Sequence, residues 1–168
     1  MKSAFRALLL ATILFTSCSK NVKDEELKTP EDGIVLKLIG QVMRLESYTA
    51  EYTINQGWHR LNINGRDTTN GRLLAVTIMS QSEIVPGEYV YTTSVPNATA
   101  AVAFGANRED IANADIYNSQ NMTPPNPMKI TITSIGNNRL TGGFSGDVRK
   151  QDNIMKNISG NFNLSYSR

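Results

Sequence analysis

Met128-Lys129-Ile130-Thr131-Ile132-Thr133 alternates apolar and polar residues without a break, the signature of a strand with one face in a core and the other in water. Two later segments keep the same alternation: Arg139-Leu140-Thr141-Gly142-Gly143-Phe144-Ser145-Gly146 and Ile158-Ser159-Gly160-Asn161-Phe162. Leu140, Phe144 and Val148 share one face of the first, and Ile158, Phe162, Leu164 and Tyr166 share one face of the second. Both contain an apolar residue, a hydroxyl, a glycine and then Phe after one further residue. The simplest account is a closing hairpin in which each Phe ring lies over a strand glycine of its neighbour, where no side chain stands in its way.

Upstream the same period recurs. Tyr48, Ala50, Tyr52 and Ile54 alternate with Thr49, Glu51 and Thr53, and Leu73 to Met79 is apolar on both faces, as a central strand would be. Asn64-Gly65, Asn70-Gly71, Pro86-Gly87 and Gly136-Asn137-Asn138 supply turn chemistry between the runs. Strands are expected near residues 34–39, 47–54, 58–63, 72–80, 87–93, 99–104, 128–135, 139–148 and 156–166. The chain therefore reads as all-β: a single antiparallel β-sandwich, or partly closed barrel, of about eight to ten short strands across residues 33–168. Asn107 to Ala112 offers one helical turn, and Gln41 to Glu46 is ambiguous. Pro124-Pro125-Asn126-Pro127 lacks donors for a ladder and reads as a long loop or an edge crossing.

The N-terminus has a different composition. Lys2 and Arg6 precede a largely apolar run from Ala7 to Phe15, then Thr16-Ser17-Cys18, which is the layout of a secretory signal over residues 1–17. The run is too short to span a bilayer, which takes about 20 residues. Phe-Thr-Ser before Cys18 resembles the lipobox of bacterial lipoproteins, with Phe15 where the family prefers Leu. That resemblance implies that Cys18 is the lipidated first residue of the mature chain, and Ser19 in place of Asp favours the outer membrane. Residues 18–32 carry eight charges between Ser19 and Asp32 and read as a flexible tether. Lys23-Asp24-Glu25-Glu26 is similar to the signal that exports Bacteroidetes lipoproteins to the cell surface. The C-terminal strands, with their Gly-x-Phe pattern, likewise look like the ends of small uncharacterised lipoproteins of that phylum, for which no activity is established.

Composition narrows the chemistry. Seventeen basic residues, less Lys2 and Arg6 of the leader, leave fifteen against fifteen acids, so bulk charge does not argue for nucleic acid. The chain has one Cys and one His. A disulfide framework within the chain and a zinc site are therefore not expected, and any His-dependent catalysis must use His59. His59 reads as a strand-end residue, Gly143-Phe144-Ser145-Gly146 lacks the spacing of a nucleophile elbow, and no Gly-rich loop precedes a helix. Asp147 and Asp152 flank Arg149 and Lys150 in what reads as a hairpin loop, where the cations disfavour calcium. No catalytic, metal or cofactor site is expected.

Binding has better candidates. Trp58, Tyr89 and Tyr91 are amphipathic rings of the kind that stack on sugars or anchor protein contacts. Tyr89 and Tyr91 share a strand face, and Trp58 is opposite in parity to the inward Leu61 and Ile63. Asp67-Thr68-Thr69 resembles the O-glycosylation sequon of exported Bacteroidetes proteins, which would make Thr68 the acceptor. The sequence thus predicts an outer-membrane or cell-surface lipoprotein that is not an enzyme and binds glycan or protein. The alternatives are an envelope or adhesin subunit assembling by strand pairing near Pro124–Pro127, and, last, a carboxylate-dependent glycan hydrolase.

Overall fold

The computed structural model describes residues 27–90, 98–105, 116–119, 125–150 and 153–168. They form eleven strands: β1 (Gly33–Leu38), β2 (Gln41–Leu45), β3 (Ser47–Asn55), β4 (Trp58–Asp67), β5 (Arg72–Ser80), β6 (Gly87–Val90), β7 (Ala98–Gly105), β8 (Tyr117–Asn118), β9 (Lys129–Gly136), β10 (Arg139–Lys150) and β11 (Met155–Ser165). Each of the nine expected strands overlaps one of these. The ambiguous stretch after Gly40 is β2, and β8 is a two-residue strand with no sequence signal.

The strands pair antiparallel in the order β2-β1-β11-β10-β8-β7-β5-β4-β3, with β9 and β6 branching from β10. The twelve residues of β10 serve two neighbours on one edge, β9 against Arg139–Ser145 and β8 against Arg149 and Lys150. The sheet then curls back on itself. Beyond β11, Ser167 bridges Glu51 of β3 in parallel, with Tyr52 N–H donating to the Ser167 carbonyl and Ser167 N–H to that of Ala50. Of the two forms the sequence allowed, a nearly closed barrel is the one present. Near-closure leaves fewer exposed strand edges of the kind that template aggregation.

That parallel bridge also orients the barrel. β11 and β3 run the same way, toward an end called here the upper one, which carries the β3–β4 turn and the C-terminus. β1 and β10 run antiparallel to β11, so the β1–β2 turn and the β10–β11 connection lie at the lower end.

The interior is a packed core. Ile34, Leu36, Leu61, Ile63, Val76, Ile78, Ile130, Ile132, Phe162 and Leu164 are among one continuous set of buried side chains drawn from around the wall, as period-two strands require. The segment after β5 plugs the upper mouth with Ile84, which is buried, while the Tyr52 hydroxyl accepts from Ile84 N–H at 3.3 Å. The Tyr89 hydroxyl donates to the Val85 carbonyl at 2.8 Å and accepts from Val85 N–H at 2.9 Å.

The Phe-over-glycine hairpin is present. Gly142 stands opposite Phe162, and Phe144 opposite Gly160. A Cβ at Gly142 would lie 2.7 Å from Phe162 Cζ and 2.1 Å from the Thr131 carbonyl oxygen; at Gly160 it would lie 2.4 Å from Phe144 Cζ. Carbon atoms in contact sit about 3.5–4.0 Å apart, so each ring occupies the volume its partner glycine vacates. Asp147 belongs to β10 itself rather than to a hairpin loop. It is buried, and Asn126 and Asn157 hydrogen-bond its carboxylate at 3.4 and 3.3 Å. The Pro-rich crossing is tied to the same residue, since Asp147 N–H donates to the Asn126 carbonyl at 2.9 Å.

Candidate functional site

With the barrel interior filled, the concave surfaces lie outside it. One is a groove of about 580 Å³ on the outer faces of β9, β10 and β11. Parity puts it there: Ile130 and Ile132 turn inward, so Thr131 and Thr133 turn out, and the same rule exposes Thr141 and Ser145 on β10 and Ser159 and Asn161 on β11. Gly143 contributes no side chain to the floor, which lowers it between these hydroxyls. Among the described residues no ionisable side chain lines the groove. One charged feature on the same face of β9 is Lys129, paired with Glu88 at 3.1 Å.

One wall is the segment that precedes β1. Asn161 Nδ2 donates to the Leu27 carbonyl at 2.7 Å, and Asn163 Nδ2 to the carbonyls of Pro30 and Glu31 at 3.2 and 2.8 Å. Arg139 donates to the Glu31 carbonyl at 2.7 Å and pairs with Asp32 at 3.2 Å, and the Tyr48 hydroxyl donates to the Asp32 carboxylate. That bond, foremost, raises the Tyr48 phenol above its ordinary value. Residues 27–32, placed by the sequence at the end of the tether, are thus strapped to the sheet, with Leu27 and Thr29 overhanging the groove. The out-facing amides at positions 161 and 163 are the sequence signal for this strap.

The aromatic candidates do not converge here. Trp58 opens β4 beside the β3–β4 turn, half-buried and outward as its parity requires. Tyr89 packs against the core and holds Val85, and burial pushes its phenol above the usual value. Tyr91 and Cys18 lie outside the described residues, as does the single helical turn expected at residues 107–112. His59 faces inward at the upper mouth, its Nδ1 sharing a 2.7 Å hydrogen bond with the Tyr52 hydroxyl. Arg168 lies 5.0 Å from the Tyr52 ring centroid and pairs with Glu83 at 2.9 Å. This cluster fastens the plug and the C-terminus.

Thr68 is exposed at the tip of the β4–β5 turn. Asp67 shapes that tip: its carboxylate accepts from the N–H groups of Thr69 and Asn70 at 3.0 and 3.2 Å and from Asn70 Nδ2 at 2.8 Å. The Asn70 side chain is the main reason the Asp67 carboxyl sits below the ordinary range, with the backbone donors and Arg72 adding to it. Among the described residues no group of three His, Cys, Asp or Glu side chains is placed to hold a metal, and no helix is long and apolar enough to cross a membrane.

Compared with protein-family models, with curated proteins and with solved structures, the chain matches none.

Proposed function

We propose that this protein is a lipid-anchored outer-membrane module whose outer groove on β9–β11 binds a neutral glycan, without catalysis. The observation that carries the reading is the groove's chemistry. Six hydroxyls and one amide, from Thr29, Thr131, Thr133, Thr141, Ser145, Ser159 and Asn161, line a shallow trough that has no ionisable side chain among the described residues. Hydroxyl groups that both donate and accept match the hydroxyls of a sugar, and a neutral trough gives a phosphate or a carboxylate no counter-charge. Anchoring rests on the signal layout and on Cys18 at its end. A protein ligand is the weaker alternative, because among the described lining residues the one aromatic, Phe144, is buried in the core and there is no arginine, whereas exposed anchors of those types dominate such interfaces. Strand pairing is favoured by the free ladder sides: among the described residues β2 pairs with β1 alone and β6 with β9 alone.

The test is calorimetric titration with neutral hexasaccharides of glucose and mannose, using the wild type, Thr131→Arg and Trp58→Phe. Saturable binding that Thr131→Arg abolishes and Trp58→Phe leaves intact supports the groove. Binding lost with Trp58→Phe and kept by Thr131→Arg would transfer the site to the upper end. Turnover of either sugar would contradict the non-catalytic reading.

A further inference from the structure

The lower end of the barrel exposes apolar side chains where turn chemistry calls for polar ones. Leu38 pairs with Gln41, so Ile39-Gly40 is a two-residue hairpin turn, and both residues have positive φ, 53° and 75°. Such turns favour Asn-Gly, because Asn tolerates the left-handed region and a β-branched side chain does not. Ile39 nevertheless occupies the position, 61% exposed. A residue that is both strained and apolar in water points to a contact outside the chain. Ile39 lines a second groove, of about 420 Å³, with Met155 and Lys156. Val42, Ile154 and Met155, on the strands and connection beside it, are also exposed.

The surroundings of this patch are basic. Lys37, Arg149, Lys150 and Lys156 stand on the strands that end there, against Asp147, which Asn126 and Asn157 hold, Asp152, which lies outside the described residues, and Asp67 of the β4–β5 turn, which lies at the same end opposite Arg72. The chain upstream also heads this way. From Glu31 back to Leu27 the strap passes from Asn163 to Asn161, toward the start of β11. Met155 lies six residues further along, about 20 Å at strand rise. Nine residue steps lead from Leu27 back to Cys18 and reach about 30 Å when extended, enough to place Cys18 beyond the Ile39 turn. The upper end exposes Ile54 and Val85 too, but it carries the Glu83–Arg168 ion pair and the chain leads away from it.

We infer that the lower end, through Ile39, Val42, Ile154 and Met155 with the neighbouring lysines, lies against the surface of the bilayer that holds the anchor. The inference rests on the anchoring proposed above. It holds the barrel upright, with Trp58 farthest from the lipid. Apolar tips enter the boundary between headgroups and acyl chains while the cations stay at anionic headgroups.

The test moves the tryptophan. The mature chain carrying Trp58→Phe and Met155→Trp, with the single-tryptophan wild type as control, is reconstituted in vesicles of phosphatidylethanolamine and phosphatidylglycerol with brominated acyl chains. The expected result is strong quenching of the tryptophan at position 155 and little of Trp58. Adding Ile39→Asn should lower the quenching, and in the Cys18→Ala background it should weaken vesicle partition about tenfold. An unquenched tryptophan at position 155 in a chain with an intact melting transition, or equal quenching of Trp58, overturns the inference. Fatty-acid labelling of the wild type and Cys18→Ala decides the anchor separately. If no acyl chain is present, quenching at position 155 on adding the unlipidated chain still supports the surface, and its absence overturns it.

Discussion

Gly160→Ala probes the interlocked hairpin directly. The new Cβ would stand 2.4 Å from Phe144 Cζ, 2.6 Å from its Cε1 and 2.9 Å from the Val35 carbonyl oxygen. Relief requires the ring to retreat by about 1 Å, since carbon contacts settle at about 3.5–4.0 Å. Phe144 is only 4% exposed and sits in a close-packed interior. The Val35 carbonyl belongs to the β1–β11 pairing and cannot move alone. The cost falls at the upper end of overpacking, about 3 kcal/mol, or a melting temperature lower by about 10 °C for a domain of this size. Phe144→Leu alone should cost about 1–2 kcal/mol through the space it leaves. Together the two should be less destabilising than their sum by at least about 1 kcal/mol, because the shorter side chain removes the clash. Urea unfolding followed by Trp58 fluorescence and circular dichroism reads all four corners of the cycle. A Gly160→Ala variant within about 0.5 kcal/mol of wild type, or a strictly additive double variant, would refute the packing argument.

Three further outcomes follow from the same geometry. The Asp67 carboxyl is lowered in the folded state, so its contribution is complete above the ordinary carboxylate range and is lost as pH falls through the lowered value; the stability gap between wild type and Asp67→Asn should narrow from pH 5 to pH 2, and a constant gap would mean the charge does not matter. Tyr52→Phe strips partners from Ile84 N–H and His59 Nδ1 and should cost about 1–2 kcal/mol in urea unfolding, an unchanged midpoint being the contrary result. Ile39→Asn should raise stability by about 1 kcal/mol as the left-handed strain is relieved, whereas a loss would show that Ile39 is held by the fold itself.

The strands were legible where one face meets the core and the other meets water. Ile130 and Ile132, or Leu61 and Ile63, carry the period-two pattern because burial imposes it. The Phe-over-glycine pairing was legible as well, since a ring facing a missing Cβ is the simplest account of those two echoing segments, and the strand register places them opposite each other. β8 was not: Tyr117-Asn118 is too short for any period, and the ladder of longer neighbours holds it. Barrel closure has no local signature in the sequence, because it depends on Ser167 meeting Glu51, residues far apart in the chain. The groove escaped the sequence reading for a related reason. Thr131, Thr133, Ser145 and Ser159 look individually like ordinary solvent-facing positions, and only the register of three strands gathers them. Aromatic character in the sequence points instead to Trp58 and Tyr89, one of which faces outward apart from the groove while the other serves the plug.

The measurement that bears most directly on the central claim is amide chemical-shift mapping of the labelled protein during titration with a neutral hexasaccharide. The account predicts saturable shifts concentrated at Thr131, Thr133, Thr141, Ser145 and Ser159, with Trp58 and His59 unmoved. Shifts centred on Trp58, or none at millimolar sugar, would contradict it.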